Sequence, residues 1–321
     1  MQEIVISNLM RAKNKQSFFA LHQIQTKIKT LYPNVRLEFH ILWDDTNELN
    51  AGEEAEWSAL IDENIENLHS YSKEFFDKYL MEFYNLDYVD RFKKFKAGYF
   101  IVMGHYLRRV LLKHYYLIYD DDILINDDFK VVTDSLLDNT AVLIAEPMNS
   151  SCDKVMFEKL VQLLGTEFAE IYQKKNPNFY GFNAGFQGID LGMYDIFLSS
   201  DRLETLLNLF DYSGIYDDKG EQIWGDKRFL IDTQQQSLLS LMNIVFARKP
   251  IHILNPEEYY VVPNFGNHPV YGELSPEGVD GGWTAGLNSK ITHFIGHTQG
   301  KGKPKEFLER VDNYLKTHNF I

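Results

Sequence analysis

The chain has 321 residues, 45% of them hydrophobic, with 23 Phe, 19 Tyr and a formal net charge of −14. That length suffices for one large domain or two small ones, and the acidic balance argues against a general nucleic-acid binder, which needs Lys and Arg in excess to neutralise phosphate. A single cysteine, Cys152, excludes an internal disulfide framework and a Cys-based zinc site, and points to a reducing compartment such as the cytoplasm. The start MQEIVISNLMRA lacks the order of a signal peptide, and no apolar run approaches the ~20 residues that span a bilayer, so a soluble chain without a transmembrane segment or membrane anchor is expected.

In chain order, EIVISNL (Glu3 to Leu9) reads as a buried strand. Phe18, Leu21, Ile24, Ile28 and Leu31 recur at helical spacing, and Pro33 stops that helix. RLEFHILW is a second strand, ending at Asp44 and Asp45, and a polar stretch then leads into an aromatic-rich region, roughly residues 57 to 85, expected to be helical. A helix from Ala97 to Lys113 delivers the strand YYLIY. Farther on, AVLIAEP is a short strand, Cys152 to Lys175 one long helix, FYGFNAGFQGIDL a strand and turn, and DTQQQSLLSLM a helix with Asp232 as its N-cap. From Pro263 to Lys290 six glycines and no clear period suggest a lid or binding loop, with Trp283 as its apolar anchor. Strand and helix alternate, which argues for an α/β fold with a mostly parallel central sheet flanked by helices. No linker or repeat interrupts the chain, so a single domain is expected, with one half at 1–125 and the other at 126–321.

The stretch YYLIYDDDILI, Tyr115 to Ile125, drives three consecutive carboxylates onto the end of a core strand. Like charges side by side repel, and burying them is costly. Strand alternation would put Asp120 and Asp122 on one side, with Cα atoms ~6–7 Å apart, and Asp121 on the other. Two carboxylates at the carboxyl end of a parallel strand can hold Mg²⁺ or Mn²⁺, which removes the repulsion. Two other readings are an exposed strand end whose acids cap the next turn, and a phosphatase of the haloacid-dehalogenase type. The latter usually places its motif on the first strand, with Thr or Val where this chain has Leu124.

Three further segments carry polar groups in apolar context. GFNAGFQGIDL presents Asn183, and QQQSLL presents Gln235 and Gln236 near a helix start, where free backbone N–H groups also face outward. KITHFIGHTQGKGKPK joins a strand-like ITHFI, bearing His293, to a loop in which Gly296, His297, Gly300 and Gly302 interleave with Lys301, Lys303 and Lys305. Imidazole offers a nitrogen ligand, glycine allows close backbone approach, and lysine neutralises phosphate.

In that order, Asp-x-Asp after an apolar strand, then N-A-G, a Gln-containing helix and H-F-x-G resemble a metal-dependent GT-A glycosyltransferase. The pattern is similar to the retaining family 8 enzymes and to the plant xyloglucan xylosyltransferase/galactomannan galactosyltransferase type, whose T-H-F-V-G and D-Q-S-A-L are similar to THFIG and QQSLL here. The resemblance implies a GT-A-like, Rossmann-like catalytic domain, with a nucleotide-sugar-binding half at 1–125 and an acceptor half at 126–321. It implies Mn²⁺ (or Mg²⁺) held by Asp120, Asp122 and His293, and a nucleotide sugar, UDP-linked, as donor to a glycan or other hydroxyl acceptor. Arg108 would face the donor sugar, Asn183 and Gln235 or Gln236 would hold sugar hydroxyls, and Lys301 and Lys303 beside Gly296 would meet the diphosphate. Ser7 and Asn8, ending the first strand, would meet base or ribose. The family's H-x-x-G-x-x-K-P spacing also fits His297, Gly300, Lys303 and Pro304, making His297 the rival ligand. Asp190 and Asp232 are candidates for a base, although a structural role suits both.

Two other classes are weighed beside this one. A sugar-nucleotide pyrophosphorylase needs a Gly-rich basic loop after its first strand, and SNLMRAKNK has no glycine. A non-catalytic carbohydrate-binding protein explains the aromatics but not an acid cluster joined to a basic glycine loop.

Overall fold

The computed structural model describes residues 2–10, 12–43, 51–72, 74–75, 78–79, 96–111, 115–126, 128–146, 152–179, 181–194, 239–255, 258–262, 266–268, 272–274, 290–294 and 305–321. The elements are β1 (Glu3–Met10), α1 (Lys15–Leu31), β2 (Arg36–Trp43), α2 (Ala51–Asn64), β3 (Leu68–Ser72), α3 (Lys96–Leu111), β4 (Tyr115–Tyr119) and β5 (Ile123–Ile125). They continue with α4 (Lys130–Leu137), β6 (Ala141–Glu146), α5 (Cys152–Leu164), α6 (Thr166–Lys175), β7 (Gly181–Asp190) and β8 (Ile251–Leu254). The chain ends with β9 (Tyr259–Val262), β10 (Gly266–His268), β11 (Gly272–Leu274), β12 (Ile291–Phe294) and α7 (Lys305–Thr317). The fold is α/β, with a mostly parallel sheet flanked by helices. Two compact units form, each from separate stretches: Met1–Phe75, Leu117–Asp138 and Leu254–Ile321 in the first, Phe76–Tyr116 and Asn139–Ile253 in the second.

In the first unit β1 pairs with β2 along its whole length, β2 with β3, and β1 with β4 through Ile6–Leu117 and Ser7–Ile118, all parallel. The order β3-β2-β1-β4 is that of a doubly wound sheet, and it reverses direction between β1 and β4. A second small sheet of the same unit, β5-β12-β9, pairs β12 antiparallel to β5 and parallel to β9. Helix α1 follows from its ends and its face. Asn14 caps it, its side chain accepting from Ser17 N–H at 3.0 Å, and Pro33 follows the last turn. Phe18, Phe19, Leu21, Ile24 and Ile28 bury one stripe. Against it docks α7, whose Phe307, Val311 and Leu315 recur every four residues and are buried. Phe19 meets Phe307 and Tyr314 edge-on at 6.3 and 5.1 Å.

The second unit carries α3, α5, α6, β6 and β7. The ladder of β6 with β7 pairs Leu143 with Gln187 and Ala145 with Phe182. β6 advances two residues there (145 − 143) and β7 five (187 − 182), so Asn183 to Phe186 bulge from the ladder. Just beyond, Gly188 is forced by close approach: a Cβ there would lie 1.6 Å from Tyr115 Oη.

Four expectations need correction. The helical reading of residues 57 to 85 is interrupted after Asn64, because LHSYS adds an outer strand, β3, whose alternation is masked by polar residues on an exposed edge, while residues 74–75 and 78–79 are helical again. The long helix at 152–175 breaks at Gly165, where φ is +87°. Within Pro263–Lys290 a short antiparallel hairpin, β10 with β11, replaces part of the expected structureless loop. The strand carrying the acids ends at Tyr119, and residues 121 and 122 turn before β5. Among the described residues no helix is long and apolar enough to cross a membrane.

The junction of α1 and α7 carries a pH signature. The His22 ring lies 2.9 Å (Nδ1) from Tyr314 Oη and 5.4 Å, centroid to centroid, from His318. Burial first, and His318 second, lower its pKa to about 4. In the unfolded chain the same ring protonates near 6.5. Between roughly pH 6.5 and 4 the unfolded state therefore binds the extra proton, and stability falls as pH drops through that window. Urea denaturation at pH 7 and pH 5 is expected to show a larger loss for the wild type than for His22→Gln. Equal losses would remove His22 as the source.

Candidate metal centre

The centre begins with the sequence of β4 and β5. All five residues of YYLIY and all three of ILI are buried. The acidic turn between them is therefore pinned at both ends by apolar strands. The β4 end lies beside β1, at the reversal of strand order, where ligand crevices form in open α/β sheets. The register of the second sheet brings in the third group: His293 of β12 pairs with Ile123, the residue after Asp122.

His293 Nε2 lies 2.8 Å from Asp122 Oδ1 and 3.6 Å from Asp120 Oδ2. One ligand atom from each of the three side chains lies within 4.8 Å of the other two. Neighbouring ligands of an octahedral ion with bonds of about 2.1 Å stand roughly 3 Å apart, a value these two distances bracket. The Asp122 and His293 side chains are 10% and 5% exposed while that of Asp120 is 36% exposed, so the group opens to solvent on the Asp120 side. Turn geometry, rather than strand alternation, places Asp120 and Asp122 together.

Two buried amides brace the turn. Asn8 Nδ2 donates to the Tyr119 carbonyl at 2.5 Å and to Asp120 Oδ1 at 3.1 Å. Its own Oδ1 accepts from Leu9 N–H at 2.7 Å. Asn8 thus orients an acid of the centre, whereas the sequence placed it against base or ribose. Gln23 of α1 was missed altogether. Its Nε2 donates to Tyr119 Oη at 2.7 Å and to the Ile123 carbonyl at 3.0 Å, and its Oε1 accepts from Ile125 N–H at 2.9 Å. The available signal was a glutamine adjoining the apolar stripe of α1.

The remaining site candidates divide plainly. Ser7 is fully buried on β1, one residue before Asn8. Arg108 is half-buried on α3 in the second unit and donates to the Leu191 carbonyl at 3.2 Å. Asn183 sits in the bulged part of β7, in that same unit. Asp190 is a cap: Oδ1 accepts from Gly192 N–H at 2.7 Å and Oδ2 from Arg248 N–H at 2.9 Å, which favours the structural role over that of a base. Gln235, Gln236, Asp232, Trp283, Gly296, His297, Lys301 and Lys303 lie outside the described residues.

Replacing Gln23 by Leu, close in volume, strands the Ile125 N–H and the Ile123 carbonyl. We expect a stability loss of about 2–6 kcal/mol, from roughly 1–3 kcal/mol for each of the two buried groups left unsatisfied. Urea denaturation measures it, and an unchanged midpoint would show that water replaces the amide.

No family model and no curated protein matches the chain. Among solved structures it is similar to the galactosyltransferase LgtC in complex with donor and acceptor sugar analogs, at 14% identity over 96% of this chain and 95% of that one, with a TM-score of 0.44. It is similar to mouse xyloside xylosyltransferase 1 in its apo form, at 12% identity over 94% of this chain and 99% of that one, TM-score 0.44. It is also similar to the bifunctional glycosyltransferase WbbM in its apo form, at 14% identity over 99% of this chain and 51% of that one, TM-score 0.46; the chain therefore spans about half the length of WbbM.

Proposed function

We propose that the chain is a metal-dependent glycosyltransferase of the GT-A type, moving a sugar from a UDP-linked donor to a glycan or other hydroxyl acceptor. The observation that carries this reading is the convergence of Asp120, Asp122 and His293 at the strand-order reversal between β1 and β4. Carboxylates held on a braced turn, with one imidazole beside them, are a donor set suited to Mn²⁺ or Mg²⁺. The order of motifs along the chain supports the reaction class.

When bound there, a divalent ion supplies positive charge for the diphosphate as the sugar–phosphate bond breaks. The chain's own residues do the rest. Asn8 keeps the Asp120 carboxylate oriented, and Gln23 keeps both strand ends fixed, so the centre needs little reorganisation during reaction. Lys301 and Lys303, with Gly296 allowing close approach, neutralise the phosphate charge left over. Arg108, Asn183 and Gln235 or Gln236 meet the donor sugar.

Incubation with a panel of nucleotide sugars, reading free UDP or GDP with and without Mn²⁺, tests the reading. UDP release that needs the ion and is abolished by chelator is expected. Asp122→Ala should lower turnover by about 10²–10³-fold, the loss seen when a group stabilising transition-state charge is removed. Undiminished turnover in that variant, or in excess chelator, refutes the metal reading. Nucleoside triphosphate formed from pyrophosphate and a sugar nucleotide would point to a pyrophosphorylase instead.

A further inference from the structure

Apart from the acidic turn, a second set of groups faces together on the parallel sheet of the first unit. Glu38 and His40 stand two residues apart on β2 and so share a face. Register sets His69 of β3 directly opposite His40. Glu38 and His40 are 4% and 1% exposed, whereas His69 is exposed. The two rings stack, centroids 4.4 Å apart and planes 13° from parallel. His40 Nδ1 lies 2.8 Å from Tyr71 Oη, and Glu38 Oε1 lies 2.6 Å from an Arg36 guanidinium nitrogen. Glu38 Oε2 and His40 Nε2 face each other at 3.6 Å.

That last distance is too long for a hydrogen bond. It is close to the ~3.4 Å that separates two ligands of one tetrahedral zinc ion with bonds of about 2.1 Å. We propose that Glu38, His40 and His69 form a second metal site, of the two-imidazole, one-carboxylate type, which takes Zn²⁺ or a similar first-row transition ion. A ligand atom of each residue lies within 4.8 Å of the other two, so a swing of the exposed His69 ring closes the set. Tyr71 holds the far nitrogen of His40, and Arg36 holds the far oxygen of Glu38, as outer partners orient metal ligands. An ion pair with Arg36 alone accounts for the position of Glu38 but not for two imidazoles placed in register beside it. The ligand type also separates the two centres: two nitrogens and one oxygen suit zinc, while the acidic turn suits Mn²⁺ or Mg²⁺. The guanidinium charge opposes a cation, so binding is weaker than at a closed structural zinc site. The bound ion clips β3 to β2. This proposal does not depend on the glycosyltransferase reading.

The test is equilibrium dialysis of the chelator-stripped full chain against Zn²⁺. Asp122→Asn with His293→Ala silences the first centre. One equivalent of zinc is expected to remain, to disappear when His69→Ala is added, and to raise Tm only while His69 is present. His69 is exposed, so its loss spares the core. The single His69→Ala variant, checked for fold by circular dichroism, should bind one equivalent less than the wild type, whatever the silenced background does. Co²⁺ in place of zinc should give tetrahedral visible absorption that needs His69. Zinc stoichiometry unchanged by His69→Ala would mean adventitious binding elsewhere on the surface and would overturn the site.

Discussion

Three adjacent carboxylates at the end of a buried strand are the constraint around which the first unit is arranged. Their mutual repulsion favours an extended, solvated stretch, which the apolar strands on either side forbid. The chain answers with a tight turn and with donors drawn from other elements: an amide from β1, an amide from α1 and an imidazole from β12. Each donor is itself buried and fixed by a strand register or a helix face. The acids are therefore held close together, an arrangement that favours a cation.

Much of this was legible in the sequence. The strands EIVISNL, RLEFHILW, YYLIY, AVLIAE and ITHF announce themselves by apolar runs, and α1 by its stripe and its closing proline. The proximity of Asp120, Asp122 and His293 was reached through motif order, because no local pattern connects residue 120 with residue 293. What escaped reading has physical causes. An outer strand such as β3 needs no apolar alternation, since one edge and much of one face meet water. The turn after Tyr119 is set by the antiparallel pairing of β5 with β12, a long-range contact that overrides local strand tendency. Gln23 and the Glu38–His40–His69 group were invisible because their meaning lies entirely in what stands opposite them.

The same asymmetry holds in the second unit. Gly188 could be read only as a breaker in an otherwise strand-like run, yet its reason is the Tyr115 hydroxyl pressed against its Cα. Asp190 was a candidate base for which a structural role was already favoured, and the two backbone N–H groups it accepts from agree with the structural role. A buried carboxylate whose oxygens both serve the backbone is a hinge pin for chain direction.

The arrangement of β5 and β12 also has a consequence for biogenesis. The acids of the centre are synthesised about 170 residues before the histidine that faces them, and α7, which covers α1, follows later still. Until then the strand edge of β5 awaits its antiparallel neighbour, and the acidic turn lacks its imidazole. Pairing across so long a loop is slow, because the entropy of closing it is spent before any contact forms. Until residue 293 has emerged and paired, the carboxylates stand without the imidazole that faces them.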